Sequence, residues 1–161
     1  MNNALIRKLR YKQGFRLPVA EDEKIWLRVS RLYFRVFELG GADCIALDII
    51  EKSGGKKAGE IALRIGEDRS LFYLGHIGYH IDPPYQGQRF ATRACRLCRE
   101  LLREAGMSSV TITTDGDNLP SIRTCERLGC QLECITNVPA WCIEEFQISA
   151  QKRRYIWDLE E

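Results

Sequence analysis

Tyr79-His80-Ile81-Asp82-Pro83-Pro84-Tyr85-Gln86-Gly87-Gln88-Arg89-Phe90-Ala91-Thr92-Arg93-Ala94-Cys95 carries the end of a strand, a polar loop and the start of a helix. Pro83 and Pro84 stop the strand, because proline supplies no donor to a ladder. Beyond the loop, Phe90, Ala94, Leu97, Cys98, Leu101, Leu102 and Ala105 recur at helical spacing, and Gly106 closes the run. A loop entering a helix aims several unpaired backbone N–H groups at one point, backed by the positive end of the helix dipole. That arrangement suits an anion such as a pyrophosphate, and small residues at Gly87 and Ala91 let its oxygens approach the backbone. Taken alone, a short glycine-containing turn of this kind is equally a plain connection.

Upstream, Cys44 to Ile50 and Ala58 to Ile65 are alternating β-branched runs around Ser53-Gly54-Gly55-Lys56, which predicts an antiparallel hairpin. A third strand is expected from about Leu71 to Ile81, with His76 and His80 on one face and Tyr73, Ile77, Tyr79 and Ile81 on the other. Downstream, Val110 to Thr114 predicts a short strand, and Asn118 and Pro120 open a helix ending near Leu128-Gly129. Gln131 to Thr136 and Arg154 to Leu159 read as the last strands, the final one either closing the sheet or pairing with a second copy in a homodimer. This order implies one α/β (α+β) domain over residues 1–161. Its sheet is expected to be mixed but mostly antiparallel, with a right-handed crossover around the central helix. Nearer the N-terminus, Leu5 to Tyr11 and Lys24 to Val29 read as strands, while Trp26 to Leu39 is also apolar enough for a helix.

The 161 residues carry 24 basic and 22 acidic side chains, a balance that argues against a protein built to neutralise nucleic-acid phosphates. Arg7-Lys8-Leu9-Arg10 and Lys152-Arg153-Arg154 read as solvated sides of strands. No apolar run approaches the roughly 20 residues of a membrane helix, and Met1 to Leu5 lack signal-peptide character. A cytoplasmic protein with no membrane partner is therefore expected. The seven cysteines form no paired metal knuckles, and Cys95 and Cys98 fall within the amphipathic helix. They read as small core residues, and no metal site is expected.

Two blocks together resemble the GNAT superfamily of N-acetyltransferases. Gln86-Gly87-Gln88-Arg89-Phe90-Ala91 is similar to that family's coenzyme loop, Gln/Arg-x-x-Gly-x-Gly/Ala. Asn118-Leu119-Pro120-Ser121 through Leu128-Gly129-Cys130 is similar to its Asn-x-x-Ser/Ala block and the helix that follows. Gly75 to Asp82 is similar to the strand of the branch containing ribosomal-protein N-terminal acetyltransferases. The resemblance covers about Ala58 to Thr136 and implies a GNAT-like fold using acetyl-CoA as cosubstrate. It implies coenzyme contacts from Ile81, Gln86, Gly87, Gln88, Arg89, Phe90, Ala91, Thr92 and Asn118. Three features depart from the pattern. Arg89 stands where the family has glycine, and either strains the loop or pairs with a coenzyme phosphate. Little helix is legible before the hairpin, where two acceptor-lining helices are usual. Cys130 replaces a common aromatic residue.

Acetyl transfer needs an unprotonated amine, a polarised carbonyl and a hydrogen bond or proton for the departing thiolate. The resemblance puts Ser121 near the coenzyme sulfur, and Cys125, one helical turn on, where some members have a tyrosine. A helix-start serine and a core-filling cysteine explain the same two residues. His80 is the first candidate for a base and Glu60 the second, against a purely structural histidine or a water chain. Asn118 caps its helix, hydrogen-bonds the pantetheine, or does both. The acceptor amine is not readable. A noncatalytic acyl-CoA-binding or regulatory module on the same fold is the rival.

Overall fold

Asn2 opens the first helix, its side chain accepting from the Ala4 N–H at 2.8 Å. This helix, α1 (Asn3–Gly14), buries Leu5 and Leu9, which lie one turn apart. The computed structural model describes residues 1–36 and 42–161. After α1 come strands β1 (Pro18–Glu21), β2 (Ile25–Val36), β3 (Ala42–Glu51) and β4 (Lys57–Ile65). They are followed by the one-turn helix α2 (Leu71–Leu74) and strand β5 (Ile77–Ile81). These five strands form one antiparallel sheet in chain order. A 3-10 turn at Pro83–Tyr85 leads to α3 (Phe90–Glu104), then β6 (Ser109–Thr114) and α4 (Leu119–Leu128). The chain ends with β7 (Gln131–Asn137), α5 (Ala140–Phe146) and β8 (Gln151–Asp158). The last three strands make a second sheet in the order β6-β8-β7, also antiparallel.

The core lies on one face of the larger sheet. Ile45, Leu47 and Ile49 of β3 and Ile61 and Leu63 of β4 meet Ala94, Cys95, Cys98 and Leu102 of α3 there. All seven cysteines are free thiols, and Cys95 and Cys98 are fully buried as small core residues. On the opposite face Asp48 joins Arg28 and Lys57, at 2.9 and 3.0 Å. Among the described residues, no helix is long and apolar enough to cross a membrane.

Several sequence expectations are corrected. Leu5 to Tyr11 is helix, because Asn2 caps it and the Leu5–Leu9 spacing fits a 3.6-residue period. Within Trp26 to Leu39, residues to Val36 belong to strand β2, pairing along β3 from Ile25↔Glu51 onward, and Leu39 lies outside the described residues. The strand expected from Leu71 to Ile81 is broken. Asp68 accepts from the Leu71 N–H at 2.8 Å, α2 turns once, and Gly75 adopts φ +74°. A Cβ at Gly75 would stand 3.0 Å from both Thr111 O and Thr113 N, so β6 passes where a side chain would be. His76 therefore precedes β5 and does not share a strand face with His80. Arg154 is buried and paired with Glu133 at 2.7 Å rather than solvated, and Arg7 to Arg10 lie on α1 rather than a strand. The last strand begins at Gln151 and runs between β6 and β7, so both its edges are paired within the chain. Helix α5 had no expected counterpart.

The mostly antiparallel α/β arrangement expected from the sequence is present, its strands divided into a five-stranded and a three-stranded ladder. Helix α3 makes the connection from β5 to β6, but these strands form no ladder. They approach where the His76 N–H donates to Thr111 O at 2.8 Å, and a cavity lies between Ile77–Tyr79 and Ile112–Thr114.

Candidate active site

The buried ring of Phe90 starts α3 and stacks with Tyr85 at 6.4 Å, fixing the loop between them. Gln86 reinforces this bend by donating from Nε2 to Ile81 O at 3.0 Å. Arg93, one turn into α3, holds Asp22 and Glu23 of the β1–β2 turn at 2.8 and 2.6 Å. At the head of the helix Arg89 adopts φ 62°, ψ 25°, the left-handed conformation that glycine takes most readily. The loop thus has the backbone expected at the family's glycine position, with an arginine bearing its cost.

A cavity of about 430 Å³ opens against this turn. Ile81, Gln86, Gly87, Arg89, Phe90 and Ala91 line one side, and Asn118 and Ser121 the other. First-turn N–H groups of α3 have no acceptor within the helix. Arg123 and Arg127, one turn apart on α4, join Arg89 around the same space and make it strongly positive. Gln88 and Thr92 do not line it. Thr92 is buried beneath the turn, and its hydroxyl has no hydrogen-bond partner among the described residues.

A second cavity of about 240 Å³ occupies the gap between β5 and β6. Tyr79, Asn118 and Ser121 line both cavities and form the wall between them. Asn118 accepts from the Ser121 N–H at 3.3 Å, capping α4 and fixing the serine at its first turn. Ser121 Oγ lies 2.8 Å from Tyr79 Oη. Burial, with the nearby Cys95 and Cys125 thiols adding to it, pushes the Tyr79 phenol well above its ordinary value, so it keeps its proton. The sequence marks Tyr79 only as a strand-face residue. Its alternation with Ile77 and Ile81 marks an inward residue, but not one whose hydroxyl reaches α4. Arg123 and Arg127 were equally unmarked, although their four-residue spacing places them on one helix face.

Cys125 lies beneath Ser121, is fully buried and lines neither cavity. The hydrogen bond its thiol donates to Cys130, together with burial, holds it protonated. His80 stands at the rim of the larger cavity, 71% exposed and 3.4 Å from Asp82, and does not reach the smaller one. Glu60 pairs opposite it on β4, its side chain held by Lys57 at 3.1 Å. His76 is buried, its Nδ1 accepting from the Thr111 N–H at 2.9 Å and its Nε2 lying 2.9 Å from Glu67. It ties β6 to the start of β5. Among the described residues, no three His, Cys, Asp or Glu side chains gather as a metal site would require.

The acetyltransferase (GNAT) domain family matches residues 8–131. No curated protein matches the chain. Its fold is similar to that of the microcin C7 self-immunity acetyltransferase MccE, solved with acetyl-CoA and AMP. The identity is 23% over 71% of this chain and 61% of that one, with a TM-score of 0.55. A GNAT-family acetyltransferase from Bacillus anthracis is 20% identical over 72% and 67% of the two chains, TM-score 0.56. The ribosomal-protein-S5-alanine acetyltransferase of Vibrio fischeri is 18% identical over 73% and 63%, TM-score 0.57. The chain therefore spans about three fifths to two thirds of the length of these proteins, and at such identities they share its fold. With the family's domain covering most of the sequence, and its coenzyme loop and Asn-x-x-Ser helix facing one another across a cavity, the chain belongs to the GNAT acetyltransferase family.

Proposed function

We propose that this protein transfers an acetyl group from acetyl-CoA to a primary amine by direct attack within a ternary complex. The observation that carries this is the pair of cavities meeting at one wall, Tyr79, Asn118 and Ser121. The larger takes the coenzyme. Its pyrophosphate lies at the first turn of α3, where Gly87 and Ala91 admit it and Arg89, Arg123 and Arg127 supply positive charge. The pantetheine arm follows β5, whose outer edge has no ladder partner, and brings the thioester to the wall. The amine enters from the smaller cavity.

Attack by the amine nitrogen on the thioester carbonyl forms the new C–N bond and breaks the C–S bond. A free backbone N–H on the open edge of β5 receives the carbonyl oxygen as charge builds there. The amine proton passes to water, directly or relayed through His80 at the coenzyme-side rim. The departing thiolate meets the Tyr79–Ser121 pair. Free thiols titrate near about 8.5 and tyrosine near about 10, and burial widens that gap. Tyr79 therefore stabilises the thiolate by hydrogen bonding, directly or through Ser121, rather than by giving its proton away. Cys125, protonated and enclosed, packs beneath this pair without taking part.

Calorimetric titration with acetyl-CoA, followed by thiol-release assays with a panel of amines, tests the proposal. Binding in the micromolar range and acceptor-dependent release of CoA support it. Coenzyme binding without release for any amine favours the noncatalytic module, and absence of binding rejects both.

A further inference from the structure

The smaller cavity contains a cation that has no counter-ion among the described residues. Arg64 projects from β4 and lines the cavity, its Nη2 close over Gly78, where a Cβ would stand 3.1 Å from it. Nη1 donates to the carbonyls of Leu74 and Gly75 at 3.3 and 3.1 Å. Among the described residues, the Nε–Nη2 edge makes no hydrogen bond and no carboxylate forms an ion pair with the guanidinium. Arg28, Arg93 and Arg154 are also withdrawn from solvent, and each has an acidic partner within 2.9 Å. Arg64 differs from them in kind.

The neighbouring charges do not correct this. Asp115 shares the cavity, but its Oδ1 is held by Lys152 Nζ at 2.6 Å and by the Ser149 hydroxyl. Arg64 and Lys152 against Asp115 leave the lining with one excess positive charge. Burial works against the Arg64 cation and lowers its pKa, with only the Cys44 thiol acting the other way. Keeping an unpaired charge in such a place is costly unless a ligand matches it. The open edge of a guanidinium fork has the geometry that takes a carboxylate through two parallel hydrogen bonds. Leu74, Ile77, Ile112 and Ile148 add apolar surface to a lining that also carries the polar side chains of Tyr73, Thr113 and Thr114. At about 240 Å³ the space equals about eight water volumes, enough for a small molecule.

We propose that Arg64 binds the carboxylate of the acceptor, which makes the substrate a small amino acid rather than a polyamine or a protein amine. This rests on the acetyltransferase reading above. Bound this way, the acceptor's amine points to the Tyr79–Ser121 wall while its carboxylate stays at the Arg64 end.

The test compares the standard amino acids with their amides as acceptors, using the full chain, its Arg64→Gln variant and its Arg64→Lys variant. Acetyl-CoA affinity, measured by calorimetry on all three, should be unchanged, which also shows that the variants fold. The expected result is acetylation of one or more small amino acids, with the matching amides lower by about ten- to hundredfold in kcat/KM. Arg64→Gln should raise the amino-acid KM with little change in kcat and erase the preference over amides, while Arg64→Lys keeps part of it. Equal use of amides, or acetylation of polyamines or peptides but not amino acids, overturns the proposal. If wild type does not bind acetyl-CoA, the transferase reading fails separately. Titrating amino acids alone into wild type and Arg64→Gln then decides the subsite: heat lost in the variant supports it, and no binding to wild type overturns it.

Discussion

Arg89 is the residue on which sequence and backbone disagree most. Its φ of 62° lies where an L side chain costs roughly 1–2 kcal/mol, while glycine in the unfolded chain gives back part of that through its greater freedom. Arg89→Gly should therefore raise stability, by up to about 1 kcal/mol in the urea midpoint. If its guanidinium meets a coenzyme phosphate, the same change weakens acetyl-CoA binding in calorimetry. Stability and affinity then move in opposite directions. Tyr79 carries the sharper catalytic expectation. Tyr79→Phe keeps the ring in the wall and removes only the hydroxyl beside Ser121. We expect kcat to fall about a hundredfold with acetyl-CoA affinity nearly unchanged, read from steady-state kinetics beside calorimetry. A comparable loss of affinity would make the hydroxyl a structural strut instead. Cys125 stands where some family members have a tyrosine, and nothing in the local sequence signals that Tyr79 of β5 meets Ser121 of α4.

At the scale of elements, the legible parts were those whose residues answer to a local period. Helix α3, with Phe90, Ala94, Cys98 and Leu101 all buried, announces itself, and so does the Gly-Gly hairpin of β3 and β4. The apolar pattern of Leu5 to Tyr11 is so short that it fits either period. The capping bond from Asn2 and the packing of Leu5 and Leu9 decide for helix. The break at Gly75 was hidden for a different reason, since it is imposed by the approach of β6, a strand 34 residues later. Gly59 shows the same dependence between β4 and β5. A Cβ there would meet His80 O at 2.2 Å, so the strands must separate to admit it. Gly59→Ala should cost about 1–3 kcal/mol in urea denaturation. It should also weaken acetyl-CoA binding, because β5 carries Tyr79 of the shared wall. An unaltered midpoint would mean that the sheet edge yields freely.

Across the whole molecule, a few ion pairs fasten distant elements, and they set its behaviour in acid. Burial tends to raise the Asp22 pKa, but bonds from the Ile25 and Lys24 N–H groups and from Arg93 on α3 outweigh it, and the net shift is downward. A lowered carboxyl stabilises the fold above its unfolded value, about 3.9, and that contribution disappears as pH falls through the still lower folded value. The stability gap between wild type and Asp22→Asn should therefore be largest near neutral pH and close below about pH 4, seen in urea midpoints across a pH series. A gap that stays constant with pH would show that the Arg93–Asp22 pair contributes nothing through charge. The sequence by itself determined the loop before α3, the Asn118–Ser121 helix start and the order of hairpin, helix and strand, because each is written in neighbouring residues. Only the tertiary structure decided that β5 and β6 part to leave two cavities, that Tyr79 meets Ser121 across the wall between them, and that Arg64 lies in one with no acidic partner among the described residues. Those facts belong to residues brought together from separate strands and helices, and no local period or motif records such distances.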